Sequence, residues 1–337
     1  MTDGDGPHPP ECPRPPDGPR PSDGALLAAR LRAGDLGAAP AVLNLLESRA
    51  PDARAETERL LAALSPAALG HEAAGHVVGI TGPPGVGKSS LLSRLIAAWR
   101  GRERSVAMLA VDPSSRRSGG ALLGDRARIE HAPGDPGLFI RSTAAGDRLG
   151  GLAAATRAAA ATLAVAFDIV VVETVGVGQS ETDVADVADT VAVVVQPGSG
   201  DVLQFLKSGI MEIPDVLVVT KADLGRPAER AQADLRAALR SLGTRDVAVV
   251  TVSSIAPPRG IEALIEALDG HRAGLDLAAR RTDSRRRAAL ADFTAELGER
   301  GLRAAGGRRA ALRWLEHLDP SLDAGTLAHR LQDHADE

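Results

Sequence analysis

The sequence predicts an α/β protein built on a doubly wound, mainly parallel sheet, with an N-terminal helical segment and a C-terminal helical extension. Several apolar runs consist almost wholly of Val, Ile and Leu, which is typical of strands buried on both faces. These runs alternate with helical patterns, as in βαβ units. The predicted strands are 76–81, 105–111, 138–141, 168–173, 190–196, 216–220 and 247–252.

The composition of the 337-residue chain disfavours several classes of function. Four Phe, two Trp and no Tyr leave little for a base-stacking surface, and a net charge of −5 disfavours a broad basic face for nucleic acid or membrane. The single cysteine, Cys12, excludes an internal disulfide framework. Because we find neither a membrane-length apolar run nor a secretory signal, we expect a cytoplasmic protein.

Four segments follow one another along the chain. Residues 1–24 carry eight of the 22 prolines and are expected to be a disordered tail. Leucines at helical spacing predict a helical segment over 25–72, and the alternating strands and helices fill 73–270. The strand patterns then stop, and 271–337 carries Arg-rich helical patterns. Within the sheet region, the Ala-rich stretch 151–166 predicts a crossover helix.

A phosphate-binding loop is predicted at residues 82–89, which match G-x-x-x-x-G-K-[ST] at every fixed position. An apolar strand enters it and a helical pattern leaves it, so a chance Gly-rich turn is disfavoured. Lys88 is expected to reach the β- and γ-phosphates, and the Ser89 hydroxyl to ligate Mg²⁺. The residues predicted to contact nucleotide here are Gly82, Pro83, Pro84, Gly85, Val86, Gly87, Lys88, Ser89 and Ser90.

Acidic residues follow two predicted strands. Asp112 ends the strand after the loop, and Asp125 follows a glycine, so both are candidate Mg²⁺ ligands, although Asp112 can equally start a turn. Glu173 ends a buried strand beside the expected γ-phosphate, and Gly176 would let a backbone N–H approach that phosphate. Val177 stands where Ras-like enzymes place a water-positioning glutamine, so intrinsic hydrolysis is expected to be slow.

A base-reading motif is predicted at Thr220-Lys221-Ala222-Asp223, which resembles the [NT]KxD pattern. One carboxylate can accept hydrogen bonds from guanine N1–H and its exocyclic amine together, whereas adenine offers no such donor pair. The Lys221 stem can lie against the base. Ser253 and Ser254 end the next predicted strand and are expected near the guanine O6 edge. An aspartate that merely caps a helix after the strand is the alternative.

Together these residues resemble the MeaB/ArgK/MMAA family of P-loop GTPases. The run from Glu173 to Glu181 is the most diagnostic, because few other GTPases place Glu there and follow it with Val-Gly-Val-Gly-Gln. The resemblance covers roughly 25–270. The other stretches that carry it are Gly79–Ser90, Val111–Ser115, Gly119–Asp125, Gln196–Asp201 and Lys207–Asp223.

The resemblance implies a biological role. Members of this family hydrolyse GTP to GDP with Mg²⁺, bind methylmalonyl-CoA mutase or a close relative, gate the loading of adenosylcobalamin and protect or reactivate the mutase. By position, the phosphate and Mg²⁺ group would be Lys88, Ser89, Asp112, Asp125 and Glu173.

The resemblance also implies a switch and a quaternary structure. In the loop 198–207, Asp201 and Lys207 would swing toward the nucleotide as catalytic residues when the mutase binds. The segment 271–337 would form a homodimer. Thr220 departs from the Asn of many members, which leaves the bracing role of that side chain in question.

Three other functions remain compatible with the sequence. A metal-insertion GTPase of the HypB or UreG kind would need clustered Cys and His ligands, whereas the eight histidines are scattered and Cys12 lies in the tail. A P-loop kinase would need an acceptor pocket and a lid. A nucleotide-dependent scaffold would hydrolyse GTP only incidentally.

Overall fold

A seven-stranded sheet forms the centre of the computed structural model, which describes residues 23–48, 50–112, 129–144, 154–174, 184–198, 214–241, 243 and 247–336. The strand order is β3-β2-β4-β1-β5-β6-β7, and every pairing among these strands is parallel. The predicted parallel α/β fold is therefore confirmed. The strands are β1 His76–Thr81, β2 Val106–Asp112, β3 Leu138–Ala144, β4 Ile169–Thr174, β5 Thr190–Val195, β6 Val216–Val219 and β7 Ala248–Thr251.

Helices precede, connect and follow the strands. Capping residues set several of their starts: the Asp23 side chain accepts from Leu26 N, and the Asp276 side chain accepts from Ala279 N, each at 3.0 Å. The helices are α1 Gly24–Arg32, α2 Ala39–Glu47, α3 Pro51–Ala63, α4 Pro66–Leu69, α5 Lys88–Gly101, α6 Ala154–Leu163, α7 Arg226–Ser241, α8 Ile261–Gly274, α9 Leu277–Ala304, α10 Arg308–Leu315 and α11 Ala324–Asp336.

Two apolar cores cover the two faces of the sheet, because alternate residues of each strand point to opposite faces. Helices α5 and α8 pack on one face, with Trp99 among the buried side chains. Helices α1, α2, α3, α6 and α7 pack on the other face, where Leu43 and Leu60 share a core with Val77 of β1. The N-terminal helices therefore bury most of their leucines against the sheet.

The last three helices enclose a smaller core of their own around Phe293, Leu315 and Leu331. Gly298 interrupts α9 with a φ of 62°, so this long helix is broken near its C-terminal end. None of the helices that the structure describes combines the length and apolar character that a bilayer crossing needs.

The strand order determines where a site can form. Strands β1 and β4 are central neighbours, and β1 pairs with β5 on its other side. Because all strands run in the same direction, the loops that follow them meet at one edge of the sheet. In open α/β sheets this carboxyl edge is where ligands bind.

Candidate functional site

The loop 82–89 joins β1 to α5 at the carboxyl edge of the sheet. Three of its glycines have positive φ angles: 144° at Gly82, 78° at Gly85 and 97° at Gly87. A Cβ atom on Gly82 would lie 2.2 Å from the carbonyl oxygen of Val194, so no other residue fits there. The loop thus has the curled backbone that presents N–H groups to phosphate.

Lys88 begins α5, and its side chain turns back into the loop. Its ammonium nitrogen donates to the carbonyl oxygens of Gly82 at 2.6 Å and Pro83 at 3.3 Å. The residue is only 8% exposed. Ser89, in the same first turn, is half-buried, and its carbonyl accepts from the Ser93 hydroxyl at 3.0 Å. A cation and a hydroxyl therefore stand at a helix N-terminus, where an anion is favoured.

Glu173 stands at the carboxyl end of the central strand β4, between β1 and β2. It is in register with Ile80 on one side and Ala110 on the other, and it is 3% exposed. The next residue, Thr174, donates its hydroxyl to Thr81 Oγ1 at 2.9 Å, immediately before the phosphate loop. The strand therefore delivers one buried acid to the entry of the loop, as the sequence predicts.

Several predicted site residues lie outside the described part of the chain. These are Asp125, Gly176, Asp201 and Lys207, together with the Val177 position. Asp112 ends β2 in register with Ala144, and its backbone alone is described. Their assigned roles stay predictions.

Thr220 follows β6 and connects the base-reading segment to the phosphate loop. Its hydroxyl donates to the Val86 carbonyl at 2.6 Å and also lies 3.0 Å from the Val195 carbonyl. The side chain is 4% exposed. Thr220 thus provides the bracing contact that its departure from Asn had left in question. The contact joins residues 134 positions apart, and no sequence pattern predicts it.

Asp223 is held in place by the neighbouring loop. Ser253, which is 2% exposed, donates its hydroxyl to Asp223 Oδ1 at 2.8 Å and accepts from Ile255 N at 3.3 Å. The Ala222 N–H donates to the Val252 carbonyl at 3.0 Å. Asp223 itself is exposed, so one carboxylate oxygen is fixed while the group faces outward. Asp223 and Ser253, both predicted to contact guanine, therefore lie together and share a hydrogen bond. Their contacts with the base stay predictions.

Two residues that support the base-reading segment, Arg94 and Gln196, have no role assigned from the sequence. Arg94, on α5, donates from Nε to the Ser254 carbonyl at 3.0 Å and links that helix to the Ser253–Ser254 loop. The Lys221 ammonium donates to Gln196 Oε1, and Lys221 adopts a left-handed backbone with φ 56°. The sequence signals for Gln196 are its position at the end of a strand and its place at the start of the stretch Gln196–Asp201.

Ser89 and Glu173 present hydroxyl and carboxylate oxygens, the donor set that suits Mg²⁺. In nucleotide-binding sites Mg²⁺ takes most of its remaining ligands from phosphate and water. The described residues contain no group of three or more His, Cys, Asp or Glu side chains placed to hold a metal ion. Ser89 and Glu173 thus have the donor atoms that a nucleotide-associated Mg²⁺ needs.

The parallel sheet, the curled loop with Lys88, and the acid at the end of β4 define a P-loop nucleotide-binding protein. A sequence profile described as "Methylmalonyl Co-A mutase-associated GTPase MeaB" matches residues 39–305. The chain belongs to the MeaB family, and it is a GTPase.

Individual relatives agree with the family match. A protein of Pyrococcus abyssi named as a GTPase is 42% identical over 269 residues, which are 77% of this chain and 80% of the relative. A Mycobacterium tuberculosis protein named as a GTPase is 40% identical over 278 residues, 80% of this chain and 81% of the relative. A Caenorhabditis elegans protein named methylmalonic aciduria type A homolog, mitochondrial, is 39% identical over 64% of this chain and 56% of its own.

One solved structure covers nearly all of both chains. The crystal structure of an LAO/AO transport system kinase matches 94% of this chain and 98% of its own, with a TM-score of 0.62 and 26% identity. Because the match spans so much of both chains, it supports the fold of the helical segments on either side of the sheet region as well as the sheet itself.

Proposed function

We propose that this GTPase controls an adenosylcobalamin-dependent acyl-CoA mutase, either methylmalonyl-CoA mutase or a close relative. It would hydrolyse GTP with Mg²⁺, gate the loading of the cobalamin, and protect or reactivate the mutase. The observation that carries the proposal is the family match over 39–305, whose description includes mutase association. The relative named as a methylmalonic aciduria type A homolog supports it.

The described side chains support definite roles in this reaction. Lys88 would neutralise charge on the β- and γ-phosphates, and Asp223 would select guanine. Ser89 and Glu173 would hold Mg²⁺, which supplies charge neutralisation on the phosphate oxygens when bound. Lys88 and Glu173 are buried, so water competes less for their contacts.

The remaining predicted residues complete the proposed site. Asp112 and Asp125 would join the Mg²⁺ ligands, and Gly176 would follow the γ-phosphate. Asp201 and Lys207 would act as catalytic residues supplied by a loop that the mutase moves. We further propose that 271–337 mediates a homodimer.

The direct test measures GTP turnover of the purified chain with and without purified methylmalonyl-CoA mutase. We expect the mutase to raise the rate by more than about tenfold, because a partner-ordered loop would add charge that the Val177 position does not offer. Isobutyryl- and ethylmalonyl-type mutases are tested beside it. Unchanged turnover with all three, together with no capture of mutase by the chain bound to a non-hydrolysable GTP analogue, would reject the mutase role.

A kinase reaction is a second candidate, because the solved structure that matches 94% of the chain is titled a transport system kinase. The two reactions differ in the fate of the γ-phosphate, which is released by a GTPase and transferred by a kinase. Labelled γ-phosphate recovered wholly as inorganic phosphate in a cell extract would reject the kinase candidate.

A further inference from the structure

A cavity of about 610 Å³ opens between α3, α6, α9 and α11, away from the nucleotide site. No described residue of the phosphate loop or of the base-reading segments lines it. Its wall reaches Val77, at the start of β1, whereas the nucleotide site lies beyond the other end of that strand. The cavity is therefore separate from the GTPase chemistry.

The cavity exists because α6 turns small side chains toward it. Ala154, Ala158 and Ala161 line it at helical spacing, and Leu61 of α3 and Phe293 of α9 close other parts of the wall. Most of the exposed wall is apolar. Cavities of this size, lined mainly by apolar groups and lying between structural segments, are typical small-molecule sites.

The arginines deeper in the wall are matched by acids. Arg285 makes two hydrogen bonds to Glu72, at 2.7 and 3.0 Å, and Arg157 contacts Asp292 at 2.5 Å. Arg281 contacts Asp189 at 2.7 Å. Each of these three arginines therefore has an acidic partner.

The exposed rim, in contrast, is negative. Glu58 and Glu296 share the single guanidinium of Arg54, at 3.3 and 3.4 Å, and all three side chains are about half exposed. Glu296 is the largest cause of the raised pKa of Arg54, so a positive charge is already favoured there. His329 lies 3.9 Å from Glu58. The single guanidinium of Arg54 faces two carboxylates, so the three side chains together carry one excess negative charge.

We propose that this cavity binds a small, largely apolar molecule carrying one amine. The apolar body would lie against the alanines of α6. The ammonium group would lie at the rim beside Arg54, against the carboxylates of Glu58 and Glu296, whose two charges the single guanidinium of Arg54 only half matches. An anionic molecule of the same shape would meet the excess negative charge and bind less well. This proposal is independent of the mutase role.

Calorimetric titration of the full chain with 4-phenylbutylamine, and with the isosteric acid 4-phenylbutyrate, tests the proposal. We expect saturable binding of the amine, at least tenfold tighter than the acid. Glu58→Gln and Glu296→Gln should each weaken amine binding by about twofold to fivefold, the range for exposed ion pairs. Asp333→Asn, which removes an exposed carboxylate of α11 outside the cavity, should change nothing.

Filling the cavity provides the second arm. Ala161→Phe and Ala158→Leu should weaken amine binding by at least tenfold, whereas Ala237→Phe, on exposed α7 surface, should not. Unchanged GTP turnover shows that each variant is folded. The proposal fails if neither probe binds saturably, if the acid binds as tightly as the amine, or if both filled variants bind like the parent chain.

Discussion

The guanine selection proposed for Asp223 requires a carboxylate that is both accessible and oriented. The Ser253 hydroxyl fixes one oxygen at 2.8 Å and leaves the group facing outward. In Asp223→Asn the side-chain amide donates where the carboxylate accepted, so it repels the guanine amine but matches the carbonyl of xanthine. We expect GTP affinity to fall by about 30-fold to 100-fold, from loss of hydrogen bonds to a charged group. XTP affinity should rise.

Equilibrium titration with fluorescent GTP and XTP analogues measures this switch of base. Asp234→Asn is the matched control, because Asp234 is an exposed aspartate of α7, the next helix. A variant at Asp223 that keeps its preference for GTP would show that another group reads the base.

Thr220 acts on the phosphate loop through one hydroxyl. Thr220→Val keeps the shape of the side chain but leaves the Val86 carbonyl without its 2.6 Å donor. We expect the free energy of unfolding to fall by about 1–2 kcal/mol, the cost of a buried unsatisfied acceptor, and GDP to dissociate faster. Urea unfolding and stopped-flow nucleotide release measure these effects.

Thr220→Ser is the control, since it retains the hydroxyl. If the Ser and Val variants release GDP at the same rate, the hydroxyl contact does not brace the loop.

At the scale of a single element, the phosphate loop contains two glycines under different constraints. Gly82→Ala would place a Cβ atom 2.2 Å from the Val194 carbonyl, whereas a Cβ atom on Gly85 meets open space. Both residues have positive φ angles, 144° and 78°, so both substitutions carry backbone strain of about 1 kcal/mol or more. We expect Gly82→Ala to lower the melting temperature well beyond Gly85→Ala in thermal unfolding. Equal decreases in melting temperature for the two variants would mean that β5 moves to accommodate the added methyl group.

The elements themselves could be predicted from sequence because their signals are local. The Val-rich run of β4 and the motif before α5 each show their pattern within ten residues. The predicted strand ends differ from the observed ones by at most three residues, and both ends of β1 match. The Thr220–Val86 contact could not be predicted in this way, since it depends on how β6 packs beside β5 and the loop. The cavity is also a product of packing, because the α6 alanines that line it predict a helix without showing what faces it.

At the scale of the whole molecule, the amino edge of the sheet connects the nucleotide-binding core to the C-terminal helices. Arg281 of α9 contacts both oxygens of Asp189 and donates to the carbonyls of Ala73 and Gly75 at 2.6 Å. Asp189 is 1% exposed and also accepts from Val77 N at 2.9 Å. Such a pair resists separation because removing the arginine would leave a buried charge.

Beside this pair, we expect His76 to make the stability of the molecule depend on pH. Its Nε2 lies 2.8 Å from Thr190 Oγ1, which lies 2.8 Å from His271 Nδ1. Burial lowers the pKa of His76 from 6.5 to about 4. The charges of Asp189, Asp269, Arg272 and His271 modify that shift. Because the unfolded chain takes up this proton first, stability is lost as pH falls from about 6.5 towards 4.

Over that range the contribution of His76 is about 3 kcal/mol, at 1.36 kcal/mol per pKa unit. His76→Gln keeps a side-chain amide that can donate to or accept from the Thr190 hydroxyl, but it cannot titrate. Urea unfolding at pH 7, 6 and 5 should therefore show a steeper loss for the parent chain than for His76→Gln. His317→Gln, at an exposed histidine, should follow the parent. If the parent chain and His76→Gln lose stability in parallel, groups other than His76 cause the acid sensitivity, because the two proteins differ only at this buried side chain.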